Sequence, residues 1–483
     1  MRAARGTGRR QRLHVTRDPQ RWIPGVVIWR RSAPVAAATP ETRDRVVDLL
    51  RVASLTIVVL GHALMAVVVW QRDTPRMTNL LAEIPELKIA TWALQIMPVF
   101  FAAGAISNRG SLAGARRRGE PWRAWVWHRE RRLVRPLFVY LAVWVPLVLA
   151  LNAILPDAAA PLGKLSTQLL WFLGVYILVI MTTSWQLGLA RHGLVGALWL
   201  LVPIAVVDLA RFHIDDGIAV ANFLIVWFMT AALGLAVRDE VDKGVAARRR
   251  LLWIAIATVA VNVVLVQSFP YPLSMVGLPG EPISNMAPPT LALALHSVVL
   301  VCVVGWAWPH LRRWCDRPRA WHAVVAGGGV AMTLYLWHLT ALVLVTVVEH
   351  ELDLDRGPVG PWRFWPATVA HLVVFLAVTV VLVALMAPFE HLPIPWLEPP
   401  PPRAGTALGW SVVAGVGALG TGLGLLALAA TGMGGFPFGR VTSYAAVPLT
   451  PALGLIVFLV GVLVTRAGGR REPPPASADT MRT

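Results

Sequence analysis

Twelve apolar stretches, each about the length that crosses a bilayer, run through this chain and leave little else for a fold to be built from. They lie near residues 46–70, 90–107, 134–154, 166–186, 194–210, 219–237, 251–268, 289–308, 323–348, 366–387, 408–431 and 447–465. Hydrocarbon offers no partner to a backbone N–H or C=O, so such runs must satisfy their own hydrogen bonds as helices. The expectation is an all-α polytopic membrane bundle, a ten-helix core followed by two further C-terminal transmembrane helices. Composition agrees. Only 14% of the 483 residues are charged and 56% are hydrophobic, whereas soluble domains carry about a quarter charged residues.

A formal net charge of +18 suggests nucleic acid at first sight, but the basic residues fall in short clusters between apolar runs, as they do in cytoplasmic loops. With the N-terminus placed inside and sides alternating, inner segments hold 36 of the 44 Lys and Arg residues and outer loops hold 8. Outer loops carry the acidic clusters Asp215-Asp216 and Glu351, Asp353, Asp355. The reading is a multi-pass protein of the cell membrane with both termini cytoplasmic, in contact with membrane lipids and not with nucleic acid. Cys302 and Cys315 give neither a disulfide framework nor a zinc spacing, and no metal site is expected.

Residues 1–44 read as a basic cytoplasmic tail without a fold of its own, lacking the apolar core and cleavage site of a signal peptide. Residues 45–391 form the main membrane domain. The link at 392–407 is Pro-rich and therefore a semi-rigid spacer, 408–466 is a two-helix appendage, and 467–483 is a second tail. Gly415, Gly417 and Gly420 spell GxGxxG, but inside a spanning run, where small residues let helices approach closely. A dinucleotide fingerprint needs a strand before it and a helix after it.

Against this apolar background a few polar residues stand out. Arg51 and His62 are eleven residues apart in the first run. Eleven residues are three helical turns, so the two share a face about 16 Å apart along the axis. His62 therefore lies past the membrane's middle, where an ionisable group is costly and marks a function unless it merely ties two helices together. His338, in the outward-running ninth helix, reaches a similar depth and is open to the same two readings. Arg129, Arg132 and Arg135 recur at three-residue spacing on an inner loop that becomes a helix. Guanidinium groups arranged along one side suit phosphate, although ordinary positive-inside decoration and lipid headgroups account for them too.

At these residues the chain resembles the acyltransferase-3 family of integral membrane acyltransferases. The family's first helix carries an arginine, ten residues and a histidine, preceded by Arg-x-x-Asp; here these are Arg45, Asp48, Arg51 and His62. Its Pro-x-Phe-Phe-x-x-Gly is matched by Pro98, Phe100, Phe101 and Gly104, with Ala103 where serine is common. Its Arg-x-x-Arg fits either Arg129 with Arg132 or Arg132 with Arg135. Later blocks are similar around Trp171 and around His338, with Thr333 in place of a common serine. The similarity spans about residues 43–390 and leaves out the last two helices.

The resemblance implies an O-acyltransferase that moves an acyl group, most often acetyl, from cytoplasmic acyl-CoA to a hydroxyl of a sugar, glycan or small metabolite, with no permanently bound cofactor. Arg51, Arg129, Arg132 and Arg135 would then hold the phosphates of the donor, and the pantetheine arm would follow the first helix to His62, the general base or nucleophile. Asp48 would orient Arg51 or Arg45, and His338 or Trp171 would shape the acceptor side. The Pro- and Gly-rich outer loop at 268–289 is either a cover for the acceptor's way in or a loop without a role. The rival reading is a secondary transporter of a small solute, which twelve spans and buried ionisable groups also fit. Carriers show internal repeats, and residues 45–237 and 250–465 resemble each other only in hydrophobicity.

Overall fold

The computed structural model describes residues 24–71, 74–278, 281–357, 359–360, 362–401, 406–439, 442–444 and 447–470. Among them twelve helical segments are long and apolar enough to cross a membrane. They are Arg45–Met65, Pro85–Arg117, Trp122–Ile154, Ala159–Met181, Gly193–His213, Asp216–Asp242, Val245–Ser268, Leu291–Cys315, Pro318–Glu351, Phe364–Glu390, Ala407–Thr431 and Pro451–Gly468, numbered here as spans one to twelve. The only paired strands among the described residues are two short antiparallel hairpins. The protein is a multi-pass helical membrane protein.

The first span is shorter than its apolar run. It stops at Met65, and the β-branched stretch that follows pairs Ala66–Gln71 with Thr74–Asn79. β-branched residues have a lowered helix propensity and a raised strand propensity. His62 thus stands in the last turn of its helix.

Spans one and nine run parallel and touch closely. A Cβ on Gly327 would lie 2.8 Å from Cγ1 of Val52, so the glycine run Gly327–Gly329 lets the two backbones approach. Counting ten residues on from Val52 reaches His62, and eleven on from Gly327 reaches His338. The register of two parallel helices therefore carries the histidines to one level.

One expectation about the chain's ends gives way to something more ordered. Within the stretch expected to lack a fold, Pro24–Ala37 is a helix packed along span nine, with Ser32 Oγ 2.9 Å from His322 Nε2. Residues 1–23 and 471–483, the outer parts of the two tails, lie outside the described residues. The last two spans pack on each other and on spans three and four. Gly417 faces Thr465 and Gly420 faces Gly461, while Gly174 of span four meets Gly422. The GxGxxG glycines are packing positions.

Polar contacts reinforce that junction. Glu130 of span three is buried at 1% exposure and accepts from Thr421 Oγ1 at 2.7 Å. The Pro-rich link is held too, since Glu398 receives Arg131 at 2.6 Å and Arg135 at 2.8 Å, and its carbonyl accepts from Arg466 at 2.9 Å.

Candidate active site

The helix Met97–Arg117 begins with Pro98 in its first turn, where the missing N–H costs nothing. It carries Phe100, Phe101, Gly104 and Asn108 into the bundle. Gly104 is there because Tyr176 of span four is in the way: an added Cβ would lie 2.6 Å from Tyr176 Cε2 and 3.0 Å from its hydroxyl oxygen. One turn on, the fully buried Asn108 accepts from Arg129 Nη2 at 2.6 Å.

Arg129 has Tyr176, Arg51 and Arg132 as electrostatic neighbours. Three guanidinium groups thus gather at one end of the bundle, with the Tyr176 hydroxyl beside them. The half-buried Arg51 has its Cζ 5.8 Å from the Phe100 ring centroid, and its Nε is buried without a partner. The cluster has cationic donors to spare.

Arg135 does not join this group; it is bound to Glu398. Each three-residue step on a helix falls about 60° short of a full turn, so over two steps the arginine row rotates away from Arg129. The three arginines therefore do not share one side. Asp48 is a second correction. It forms a two-pronged ion pair with Arg43, Nε to Oδ2 at 2.5 Å and Nη2 to Oδ1 at 3.0 Å, and not with Arg45 or Arg51. Arg43 precedes the helix and folds back over its first turn, and the Asp48 carboxylate raises its guanidinium above the ordinary value. Arg45 instead lies over the Trp321 ring at 5.0 Å.

From the arginines a row of rings leads to the histidines. Phe100 meets Phe172 at 4.9 Å between centroids, Phe172 meets Tyr335 at 5.2 Å, and Tyr335 meets His338 at 6.4 Å. Tyr335 is fixed by donating its hydroxyl to the Leu169 carbonyl. Phe101 and Trp171 stand behind this row, both packed on Trp227. Trp171 therefore belongs to an aromatic cluster and shows no contact with either histidine.

His62 Nδ1 lies 3.1 Å from His338 Nε2, with the rings stacked at 5.2 Å. His338, fully buried, turns its Nδ1 to the carbonyls of Tyr335 at 2.9 Å and Leu334 at 3.1 Å. Carbonyls only accept, so Nδ1 of His338 carries a hydrogen, and in the neutral ring Nε2 is a lone pair. His62 must then donate through Nδ1, which leaves His62 Nε2 as the unprotonated nitrogen. His62 keeps part of its surface accessible, and the hydrogen bond its ring makes among the described residues is the one through Nδ1 to His338. The pair presents one free base, its tautomer set by backbone carbonyls through a second imidazole.

Beyond His62, Arg356 from the loop after span nine donates to the carbonyl of Ala66, the residue that ends the His62 helix. Burial pushes this guanidinium below its ordinary value, with Glu349 acting the other way. On the same side, the loop at 269–290 is stitched to the start of span two. Lys88 pairs with Glu281 at 2.8 Å, and Trp92 and Gln95 each donate to its carbonyls at 2.9 Å.

Asn108, Tyr176 and Arg356 are site candidates that the sequence pattern does not single out. Asn108 carried a signal, an amide four residues after Gly104 on an apolar helix; Tyr176 carried none. Among the described residues no group of three or more His, Cys, Asp or Glu could hold a metal ion.

The bundle of a multi-pass membrane protein thus sets a histidine pair and an arginine cluster at the two ends of one row of aromatic rings. The family model described as an acyltransferase domain matches residues 44–386, and the chain belongs to this acyltransferase-3 family. No curated protein and no solved structure matches it.

Proposed function

We propose that this membrane acyltransferase takes an acyl group, acetyl in the first instance, from cytoplasmic acyl-CoA and passes it to a hydroxyl of a sugar, glycan or small metabolite. The donor's phosphates rest on the half-buried Arg51 and Arg129 and the exposed Arg132, whose guanidinium groups offer charge-assisted bonds. Its pantetheine arm follows the row Phe100, Phe172, Tyr335 toward the histidines. The arm must cover about 16 Å, the rise from Arg51 to His62.

His62 acts as general base. Its Nε2 takes the acceptor's hydroxyl proton while the oxygen attacks the thioester carbonyl. The tetrahedral carbon then releases the C–S bond, and the departing CoA sulfur recovers the proton from the imidazolium. His338 holds His62 in the required tautomer, much as the carboxylate does in a Ser-His-Asp triad.

The observation that carries this reading is the His62–His338 bond, with the far nitrogen of His338 fixed on backbone carbonyls. The test is free-thiol release from acetyl-CoA by the purified protein in micelles, for the wild type and His62→Ala. Thiol release that depends on His62 supports the reading. Flux of a solute into vesicles by His62→Ala at the wild-type rate, without thiol release by either protein, would favour a carrier instead.

A further inference from the structure

We infer that Arg356 is the acceptor-binding cation of this enzyme, and that the acceptor carries an oxyanion, a carboxylate or phosphate, which sits about one helical turn beyond His62; this rests on the acyltransferase reading above. Arg356 is 8% exposed. One of its terminal nitrogens, Nη2, is spent on the Ala66 carbonyl, while Nη1 is buried and has no partner. A buried cation with an unused N–H is among the costliest groups a fold can hold without compensation.

The carboxylate nearest in electrostatic terms does not supply that compensation. Glu349 gives Oε2 to Nδ1 of His371, itself 1% exposed, at 2.8 Å and forms no ion pair with Arg356. A ligand oxyanion at Nη1 would complete the guanidinium, and the planar fork suits a carboxylate or phosphate.

Placement adds the second argument. Ala66 follows the His62 helix directly, its N–H bonded to the His62 carbonyl. Arg51 stands eleven residues before His62 and the Arg356 anchor four residues after it, so two cations flank the base at opposite ends of one helix. The first suits the donor's phosphates. The second is left for the other substrate, whose hydroxyl must come to His62 from the side away from the donor. An anionic group held at Arg356 leaves about 6 Å, four residues of helical rise, for the few bonds between that group and the reacting hydroxyl. A uronic acid or a sugar phosphate has that reach.

The experiment titrates purified full-length protein, in a micelle of neutral detergent, with methyl α-D-glucuronide and the matched neutral methyl α-D-glucoside, following the ligand-induced change in Tm. The uronide should bind the wild type at least tenfold more tightly than the glucoside. Arg356→Gln should remove that advantage, and Arg356→Lys, which keeps charge but loses the fork, should keep part of it. Comparing ligand-induced shifts within each variant separates binding from any loss of stability due to the Ala66 contact. Equal binding of the two glycosides by the wild type, or an advantage that survives in Arg356→Gln, would overturn the assignment. So would stabilisation by phosphatidylglycerol in place of the uronide. The same titration separates the two claims. A uronide bound through Arg356 but never acetylated from acetyl-CoA would leave this site standing and remove the acyltransferase reading. Equal acetylation of both glycosides would do the reverse.

Discussion

Gly104 and Tyr176 compete for one volume: a methyl group on the glycine would lie 2.6 Å from Cε2 of the tyrosine. The Tyr176 hydroxyl belongs to the surroundings of Arg129, so displacing the ring disturbs the arginine cluster as well as the packing. Gly104→Ala should destabilise by on the order of 1–3 kcal/mol, as overpacking does, and raise the KM for acetyl-CoA. Gly110, in the same helix with open space around it, is the control. Gly110→Ala should be neutral or slightly stabilising. Thermal unfolding of the two variants side by side, with acetyl-CoA kinetics, decides it.

His62→Ala should abolish acyl transfer while membrane insertion and the unfolding transition stay as in the wild type. Size-exclusion behaviour and Tm serve as the folding checks. Wild-type turnover in this variant would defeat the mechanism.

His338→Phe keeps a ring in the stack but removes the acceptor that fixes the His62 tautomer. The expected result is a fall in kcat on the order of a hundredfold or more, in the range of lost general-base assistance, with KM for acetyl-CoA little changed. A purely structural histidine would alter Tm and leave kcat per folded molecule alone.

Arg51→Ala and Arg129→Ala should each raise the KM for acetyl-CoA by roughly tenfold, the size of one lost charge-assisted contact. Arg135→Ala should not, because that side chain serves Glu398. An equal effect at all three positions would mean that the arginines act only through general surface potential.

Thr421→Val should cost roughly 1–3 kcal/mol, since it strips a buried Glu130 oxygen of its donor. Ser411→Ala, an exposed hydroxyl bonded only to its own helix at the Ala407 carbonyl, should cost far less. Comparing the two Tm values tests whether span eleven is wired into the core.

The spans were legible because a bilayer imposes length and apolarity on every crossing, a constraint visible in single runs of residues. The depths of His62 and His338 were legible for the same reason, counted in residues from the charged ends. Their meeting was not, because it depends on Val52 seating against Gly327, a tertiary contact between segments far apart in sequence. The Arg129 neighbourhood was half legible. Spacing pointed to Arg129 and Arg132 but missed the rotation that delivers Arg135 to Glu398. Arg43 escaped notice as the partner of Asp48 because it lies before the helix, where periodicity says nothing. The helix Pro24–Ala37 was hidden by its two arginines and internal Pro34, which read as tail. Arg356 looked like one more loop charge, and only its burial distinguishes it.

The bond from Thr421 to Glu130 joins residues 291 positions apart, and they do not leave the ribosome together. Span three enters the bilayer with its carboxyl unattended. At roughly 5–20 residues per second, the hydroxyl that answers it follows only after about a quarter of a minute to a minute. For that interval the nascent chain carries an open seam along span three, and the seam closes only when spans eleven and twelve are delivered. Closure of the core around Glu130 therefore waits on two helices that lie beyond the stretch matched by the family model.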